Sequence, residues 1–420
     1  MHQKKQELFT EELAVKISAE PKLSYLEINS ILTLRYNPYA KTDLRKLEPN
    51  NFSPSQLTNP SQLIENSLKK SIRNFISENS IKTISIPLSG GIDSTLILTL
   101  FKNVEPSINI KAISVKFPDS PDETITASKI ASVLDVDHQI ISLENILEKL
   151  PKAISIVKQP FWDIHWFYVA ETASKFSNNL TTGDGGDELF GGYTFRYQKF
   201  LSNVNNDSTP FEKVKEYLKC HERDHVEDQE DLFGKKSNFS WDSIYSILLP
   251  AFENNLSPLD QLFLADFNGK LLFNFNIVNN SINDYFNLNS FTPFLSPELI
   301  SLSMRLPSSL KYDLQSNLGK LPLRKILLNF SVSSFLNHKK LGFSINTVSL
   351  WKNFGQKICK EFLMESNIEK NGLINGDWIK KYLVQDDLDI RYVNKFLGLL
   401  ALEIWYRIFI TKELTSTSKL

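Results

Sequence analysis

Two short stretches hold the residues best suited to chemistry. Pro87-Leu88-Ser89-Gly90-Gly91-Ile92-Asp93-Ser94 follows an apolar alternation at Ile84, Ile86 and Leu88, and runs into a dense apolar stretch from Thr95 to Phe101. A strand, a Ser-Gly-Gly turn and a helix N-terminus form an anion site: glycines admit close backbone approach, the first helical N–H groups lack partners, and the dipole favours negative charge. Asp93 places a carboxylate there, which repels phosphate unless a divalent cation stands between them, so the loop implies nucleotide with magnesium. The plainer alternative is an ordinary strand-to-helix turn, where Gly and Ser are common. A Walker loop is excluded, because no Lys-Ser or Lys-Thr follows the glycines. The dinucleotide fingerprint also fails, since Glu188 stands where Gly183-Asp184-Gly185 would need a third glycine.

The second stretch, Thr182 to Tyr193, packs five glycines with the acids Asp184, Asp187 and Glu188. Asp187 offers a second carboxylate for the metal, and the glycines open room for a nucleotide and an acceptor. A glycine-rich surface hairpin is the alternative. A third literal pattern, His221-Glu222-Arg223-Asp224-His225, matches the zinc-protease HExxH. Its surroundings (Lys219, Glu227, Asp228, Glu230, Asp231) read as a solvated excursion, and a third ligand is not identifiable.

The elements that position these stretches alternate. Leu63, Ile64, Leu68, Ile72 and Phe75 recur at helical spacing. Strands follow at 84–88, 113–117, 138–143 and up to Thr182, with helices between them, one of them over 164–176. Ser120-Pro121-Asp122-Glu123 reads as a helix start with Ser120 as N-cap and Glu123 closing a capping box. Such βαβα order predicts an α/β fold with a doubly wound, mostly parallel sheet, and ligands beyond the strand C-termini, where Ser89 and Gly183 fall. Four parts are expected: 1–60 as an N-terminal segment and linker, 61–203 as the α/β core, 204–255 as a charged helical excursion, and 256–420 as a helical C-terminal part.

The 420-residue length gives ample core, and the 41% hydrophobic and 23% charged content is ordinary for a globular chain. A net charge of −1 provides no global basic field for nucleic acid. Two isolated cysteines, Cys220 and Cys359, fit a reducing compartment better than a disulfide framework. With no apolar signal core and no spanning run, a cytoplasmic chain without membrane association is expected.

SGGxDS is the pyrophosphate loop of the ATP-splitting PP-loop superfamily. Together with the second motif it resembles the synthetase domain of the glutamine-dependent asparagine synthetases, a family with β-lactam synthetase and lasso-cyclase relatives. Ile113-Ser114-Val115-Lys116-Phe117 is similar to the family strand whose backbone meets adenine, and Glu123 and His138 fall on its landmarks. Gln159-Pro160-Phe161, Thr292-Pro293-Phe294-Leu295, Gly319-Lys320-Leu321-Pro322-Leu323-Arg324 and Lys339-Lys340-Leu341-Gly342-Phe343 follow in family order. The resemblance implies an adenine nucleotide α-hydrolase-like fold, with ATP and Mg2+ as cofactors. It makes Asp93 and Asp187 metal ligands, and implies ATP contacts from Leu88, Ser89, Gly90, Gly91, Asp93, Ser94, Val115 and Gly183. It implies catalytic roles for Lys340, Lys320, Asp184 and Glu188. Lys340 is the expected cation on the α-phosphate, with Lys320 the second candidate and a solvated face the alternative for both. The implied reaction adenylates a small-molecule carboxylate, aspartate foremost, and then forms an amide with ammonia or an amine.

Four departures bear on that expectation. His2 stands where the family's glutaminase has its cysteine nucleophile, and Leu32 to Pro38 look like only the tail of that domain, so nitrogen is expected from ammonia, a separate glutaminase or a substrate amine. Asp184 replaces the family's Glu or Tyr and is a candidate general base. Asn289-Ser290-Phe291 lacks the Glu and Arg expected beside the acceptor pocket, and Gln159 replaces a Glu. The departures near 289–296 favour a competing reading as a non-catalytic nucleotide-binding subunit, against which the two intact carboxylates argue. NAD synthetases and sulfur transferases share the first motif only. A homodimer is a further expectation.

Overall fold

The computed structural model describes residues 21–335 and 345–420. Two helices, α1 (Tyr25–Leu34) and α2 (Pro60–Glu78), precede the sheet. The chain then runs β1 (Thr83–Pro87), α3 (Ile92–Val104), β2 (Asn109–Lys116), α4 (Thr124–Val133), β3 (Asp137–Ser142), α5 (Leu150–Val157), α6 (His165–Ala173) and β4 (Asn179–Thr181). The helices α7 (Gly186–Phe190), α8 (Thr194–Leu201), α9 (Pro210–Cys220), α10 (Trp241–Phe252), α11 (Pro258–Asp266) and α12 (Ile277–Tyr285) lead to β5 (Asn289–Phe291). A hairpin of β6 (Tyr312–Asp313) and β7 (Leu318–Gly319) precedes α13 (Leu321–Leu327), and α14 (Ile390–Phe409) lies near the C-terminus.

Every pair in the five-stranded sheet is parallel, in the order β3-β2-β1-β4-β5. Alternation along the strands divides the core. Ile84, Ile86, Ile110 and Ala112 join the side chains of α2, α3 and α4, whereas Ile113 and Leu180 join those of α5, α6 and α14. Ser85 faces the second layer and donates to the Ala173 carbonyl at 3.4 Å. Strands covered on both faces must be apolar on both, which explains the near-continuous burial of β1. The winding direction reverses between β1 and β4, opening a crevice at their C-terminal ends.

The expected α/β sheet with a helical C-terminal part is present, with four local corrections. First, β5 adds a strand within the stretch expected to be helical. Its three residues, paired Asn179 to Asn289 through Thr181 to Phe291, are too short and polar to show alternation. Second, α1 is a helix where only weak patterning was expected. Its Ser24–Glu27 capping box is present, but residues 28–34 are all buried, so no amphipathic stripe marks it. Third, α4 begins at Thr124, not at Ser120. Asp122 accepts from the Thr124 N–H at 3.0 Å, while Ser120 Oγ accepts from the Asn346 N–H at 2.9 Å across the fold. Fourth, the charged segment 204–255 is anchored in the core by Val214, Tyr217, Leu218, Val226 and Leu232, all buried.

Leu96, fully buried on α3 beneath the first loop, tests this layering. Leu96→Ala is expected to lower stability by about 2–5 kcal/mol in urea denaturation, whereas Leu63→Ala, on an exposed position, shifts it by about 0.5 kcal/mol or less.

Candidate active site

The two motif loops leave β1 and β4 side by side at the crevice. In the first, Gly90 takes φ +75°, a conformation natural to glycine. The Ser89 N–H donates to Ser94 Oγ (3.2 Å), the Gly91 N–H donates to Ser89 Oγ (3.2 Å), and Ser94 Oγ donates to the Gly91 carbonyl (3.3 Å). No side chain caps α3, so its first turn offers N–H groups to an anion. A chain of hydroxyls supports the loop from behind. Ser114 Oγ donates to the Leu88 carbonyl (2.5 Å) and therefore accepts from His138 Nε2–H (2.7 Å), leaving Nδ1 to accept from Ser128 (3.2 Å). Burial lowers the His138 pKa, which favours that neutral form.

The second loop rests directly on Asp93. A Cβ at Gly183 would lie 2.9 Å from Asp93 Cβ, and one at Gly186 would lie 2.5 Å from Asp93 Cγ. Two glycines thus let Asp187 approach Asp93. Lys320, at the N-terminus of α13 with φ +58°, bridges them: its Nζ contacts Asp93 Oδ2 and lies 2.7 Å from Asp187 Oδ1. Its side chain is 9% exposed. Burial opposes its charge, but Asp187 and Asp93 outweigh that and hold the ammonium well above its usual range. Two carboxylates meeting at one cationic point could also hold a hard divalent ion. No third metal-ligating group of the His/Cys/Asp/Glu kind stands with them among the described residues. That donor set suits magnesium, which keeps waters and borrows phosphate oxygens, and not a closed zinc cage.

Behind Asp187, Glu188 is buried and accepts from Tyr193 Oη at 2.6 Å. Burial and the Asp187 charge push its pKa up to about 8. Arg196 covers the Tyr193 ring at 3.6 Å and pairs with buried Asp266 at 2.9 Å. The cleft, about 570 Å3, extends from the first loop to an end walled by Trp166, Val169, Phe275 and Val278. There Asp184 Oδ2 accepts from Thr182 and Asn279, each at 3.0 Å, and burial raises its pKa. Asp163 lies 2.6 Å from His165 Nδ1. Enclosure opposes Asp163 ionisation, but the charge and hydrogen bond of His165, with Arg35 and Lys270, hold its pKa at about 2.

Leu88, Ser89, Gly90, Gly91, Asp93, Ser94, Val115, Gly183, Asp184, Asp187, Glu188 and Lys320 all line this one cleft. Lys340 lies outside the described residues. Lys320 is not on a solvated face but buried between the two carboxylates. Asn289, Ser290 and Phe291 do not line the cleft, since they form β5. The HExxH residues do not share a helical face, because α9 ends at Cys220 and a short 3₁₀ turn carries Glu222 to Asp224. His221 lies 2.8 Å from Arg196 and His225 packs edge-on to Trp241. Sequence reasoning missed Arg35, Asp163, His165, Lys270, Asn279 and Arg324. Asp163 and His165 follow Gln159-Pro160-Phe161 closely enough to have been found, and Arg324 belongs to a motif already noted. Lys270 and Asn279, on and after the wide helical turn Phe267–Asn276, carry no local signal.

These features define an α/β protein with a parallel sheet and a glycine-rich loop opening on a cleft at its switch point. A model of the asparagine synthase family matches residues 64–407, and the chain belongs to that family. It is 26% identical over 402 residues to asparagine synthetase [glutamine-hydrolyzing] 1 of Bacillus subtilis, covering 84% of this chain and 61% of that protein. It is 22% identical over 429 residues to a putative asparagine synthetase [glutamine-hydrolyzing] of Mycobacterium bovis, covering 92% and 64%. The chain thus spans under two thirds of the length of these relatives. Among solved structures, it is similar to an NMN synthetase from Francisella tularensis (18% identity, 50% of this chain and 94% of that one, TM-score 0.26). It is also similar to an NH3-dependent NAD synthetase from Campylobacter jejuni (20% identity, 32% and 60%, TM-score 0.25). No helix among the described residues is long and apolar enough to cross a membrane.

The raised Glu188 pKa makes a stability prediction. The folded state holds the proton up to about pH 8, while an unfolded Glu releases it near 4.5. Its stabilising contribution is therefore complete below about pH 4.5 and lost as pH rises through 8. Glu188→Gln is expected to flatten the decline in stability across that window, measured by denaturation at a series of pH values.

Proposed function

We propose that the chain is an ATP-dependent amide-forming ligase that activates a carboxylate as its acyl-adenylate. The observation that carries the reading is the convergence of Asp93 and Asp187 on one cationic point, beside an uncapped helix N-terminus at the open end of the sheet. In the first step a carboxylate oxygen attacks the α-phosphorus of ATP, and the bond to the bridging oxygen breaks to release pyrophosphate. In the second, a nitrogen attacks the acyl carbon, AMP departs with its oxygen, and one proton leaves the nitrogen as the amide forms.

The residues divide this work. Ser89, Gly90, Gly91 and Ser94 hold the leaving pyrophosphate, and Leu88, Val115 and Gly183 line the nucleotide's path. Asp93 and Asp187 would hold magnesium, which when bound supplies charge neutralisation for the phosphate oxygens. Lys320, already protonated between them, supplies positive charge in the same place. Lys340, by family resemblance, is the second cation, on the α-phosphate. Asp184, whose buried carboxyl takes up a proton more readily than usual, is the base for the attacking nitrogen, with Glu188 behind Asp187 as a further proton-holding group. The apolar end of the cleft keeps water from the adenylate. Aspartate is the leading acceptor, and ammonia, free or from a separate glutaminase, is the leading nitrogen source.

Pyrophosphate release from ATP, screened across aspartate and other acids with and without ammonium, tests the reading. Asp93→Asn is expected to lower turnover by about 10² or more. Undiminished turnover in that variant would remove the mechanism.

A further inference from the structure

Arg35 lies outside the stretch 64–407 that matches the family, yet it lines the cleft. It ends α1 with φ +64°, a left-handed conformation that glycine adopts without cost and a side chain does not. The backbone is pinned there from both sides. The Arg35 N–H donates to the Ile31 carbonyl at 3.0 Å, and the Arg35 carbonyl accepts from Asn274 Nδ2 at 2.6 Å. The fold thus accepts a strained position to put a guanidinium in the wall.

The guanidinium is positioned but not consumed. It lies over the Trp162 ring, 4.8 Å from the centroid. Its carboxylate neighbours are Asp224 at 3.5 Å and Asp163 at 3.8 Å, both beyond an ordinary N–H···O bond. Each acid already has a closer partner: Lys270 contacts Asp224, and His165 holds Asp163 at 2.6 Å. Among the described residues the Arg35 side chain makes no hydrogen bond of its own, so its planar fork keeps donors for a ligand. It is 29% exposed and stands where the main cleft meets a smaller cavity of about 40 Å3. The buried Trp162 ring beneath the guanidinium lowers the local dielectric and strengthens any charge pair formed there.

We propose that Arg35 is a specificity-determining residue, binding the anionic group of the acceptor that does not react. The inference rests on the ligase reading above and deepens it. The carboxylate that attacks ATP lies at the loop end, and the second anion is read by the Arg35 fork at the far end. The acceptor is selected because an acid lacking that second anion leaves the guanidinium unpaired.

The test compares pyrophosphate release with aspartate, with succinate (which lacks the amine) and with 3-aminopropanoate (which lacks the second carboxylate). The wild-type chain is expected to favour the two dicarboxylates over 3-aminopropanoate in kcat/KM by about tenfold to a hundredfold. In Arg35→Leu that ratio is expected to collapse toward unity through a rise in dicarboxylate KM, and Arg35→Lys, which keeps the charge but not the fork, is expected to lie between. Thermal midpoint and the ATP dissociation constant establish that each variant is folded. If Arg35→Leu does not fold, Arg35→Lys carries the test, with a loss of selectivity of about threefold or more expected. An unchanged selectivity ratio in a folded variant overturns the role of Arg35 and leaves the ligase reading standing, as does wild-type release with 3-aminopropanoate alone. No release with any acid overturns both.

Discussion

Two carboxylates held close together inside a protein repel each other, and the site is organised around that repulsion. Asp93 comes from the first turn of α3 and Asp187 from α7, ninety-four positions later in the chain, and both meet the same ammonium. Without a cation between them, one would take up a proton. Lys320 supplies that cation, and its own burial is tolerable only because two opposite charges face it. The glycines at 183 and 186 serve the same end, since their missing side chains leave the space Asp93 occupies.

Much of this was legible in the chain, for identifiable reasons. The central strands β1 and β2 are apolar along their buried runs because helices cover both faces, and the two motifs sit where local turn chemistry demands glycine. The meeting of Asp93 with Asp187 accords with an expectation that drew on loop chemistry, on both loops following strands of one parallel sheet and on the family resemblance, while the adjacency of β1 and β4 that brings them together is a property of the folded sheet. The role of Lys320 did not follow. Nothing in Gly319-Lys320-Leu321-Pro322 tells a solvated lysine from one turned inward, and its placement depends on a hairpin that only the folded chain brings to α7. Arg35 was invisible for the same reason, since its meaning comes from Asn274, Trp162 and Asp163, far along the sequence. The error over 204–255 has a different origin. Its charges are real, but Asp224 pairs with Lys270 beyond the segment and apolar side chains such as Val214 and Leu232 are buried, so a charged stretch is anchored in the fold.

The cleft is asymmetric in kind as well as in shape. At the loop end, backbone N–H groups and hydroxyls dominate, suited to a ligand with many equivalent oxygens. At the far end, discrete side chains of different chemistry line the wall: His165 and its neighbours hold the Asp163 carboxyl below its usual range, burial raises that of Asp184, and Arg35 brings a guanidinium. Such an end discriminates by chemical identity. The two ends are joined by one backbone, because Thr182, Asp184 and Asp187 belong to the single stretch that leads from β4 into α7, so both ends of the cleft share a common frame.

The contact between Gly319 and Gly191 has a mechanical corollary. A Cβ on Gly319 would collide with the Gly191 carbonyl, and the Lys320 N–H donates to the Phe190 carbonyl at 2.9 Å. The hairpin and α7 are therefore locked main chain to main chain, with no side-chain layer to absorb slippage. Neither can shift against the other by much without losing both contacts, so Lys320 and Asp187 travel as one body. Anyone transplanting this centre into another scaffold would have to move the two segments together, because neither retains its geometry when separated.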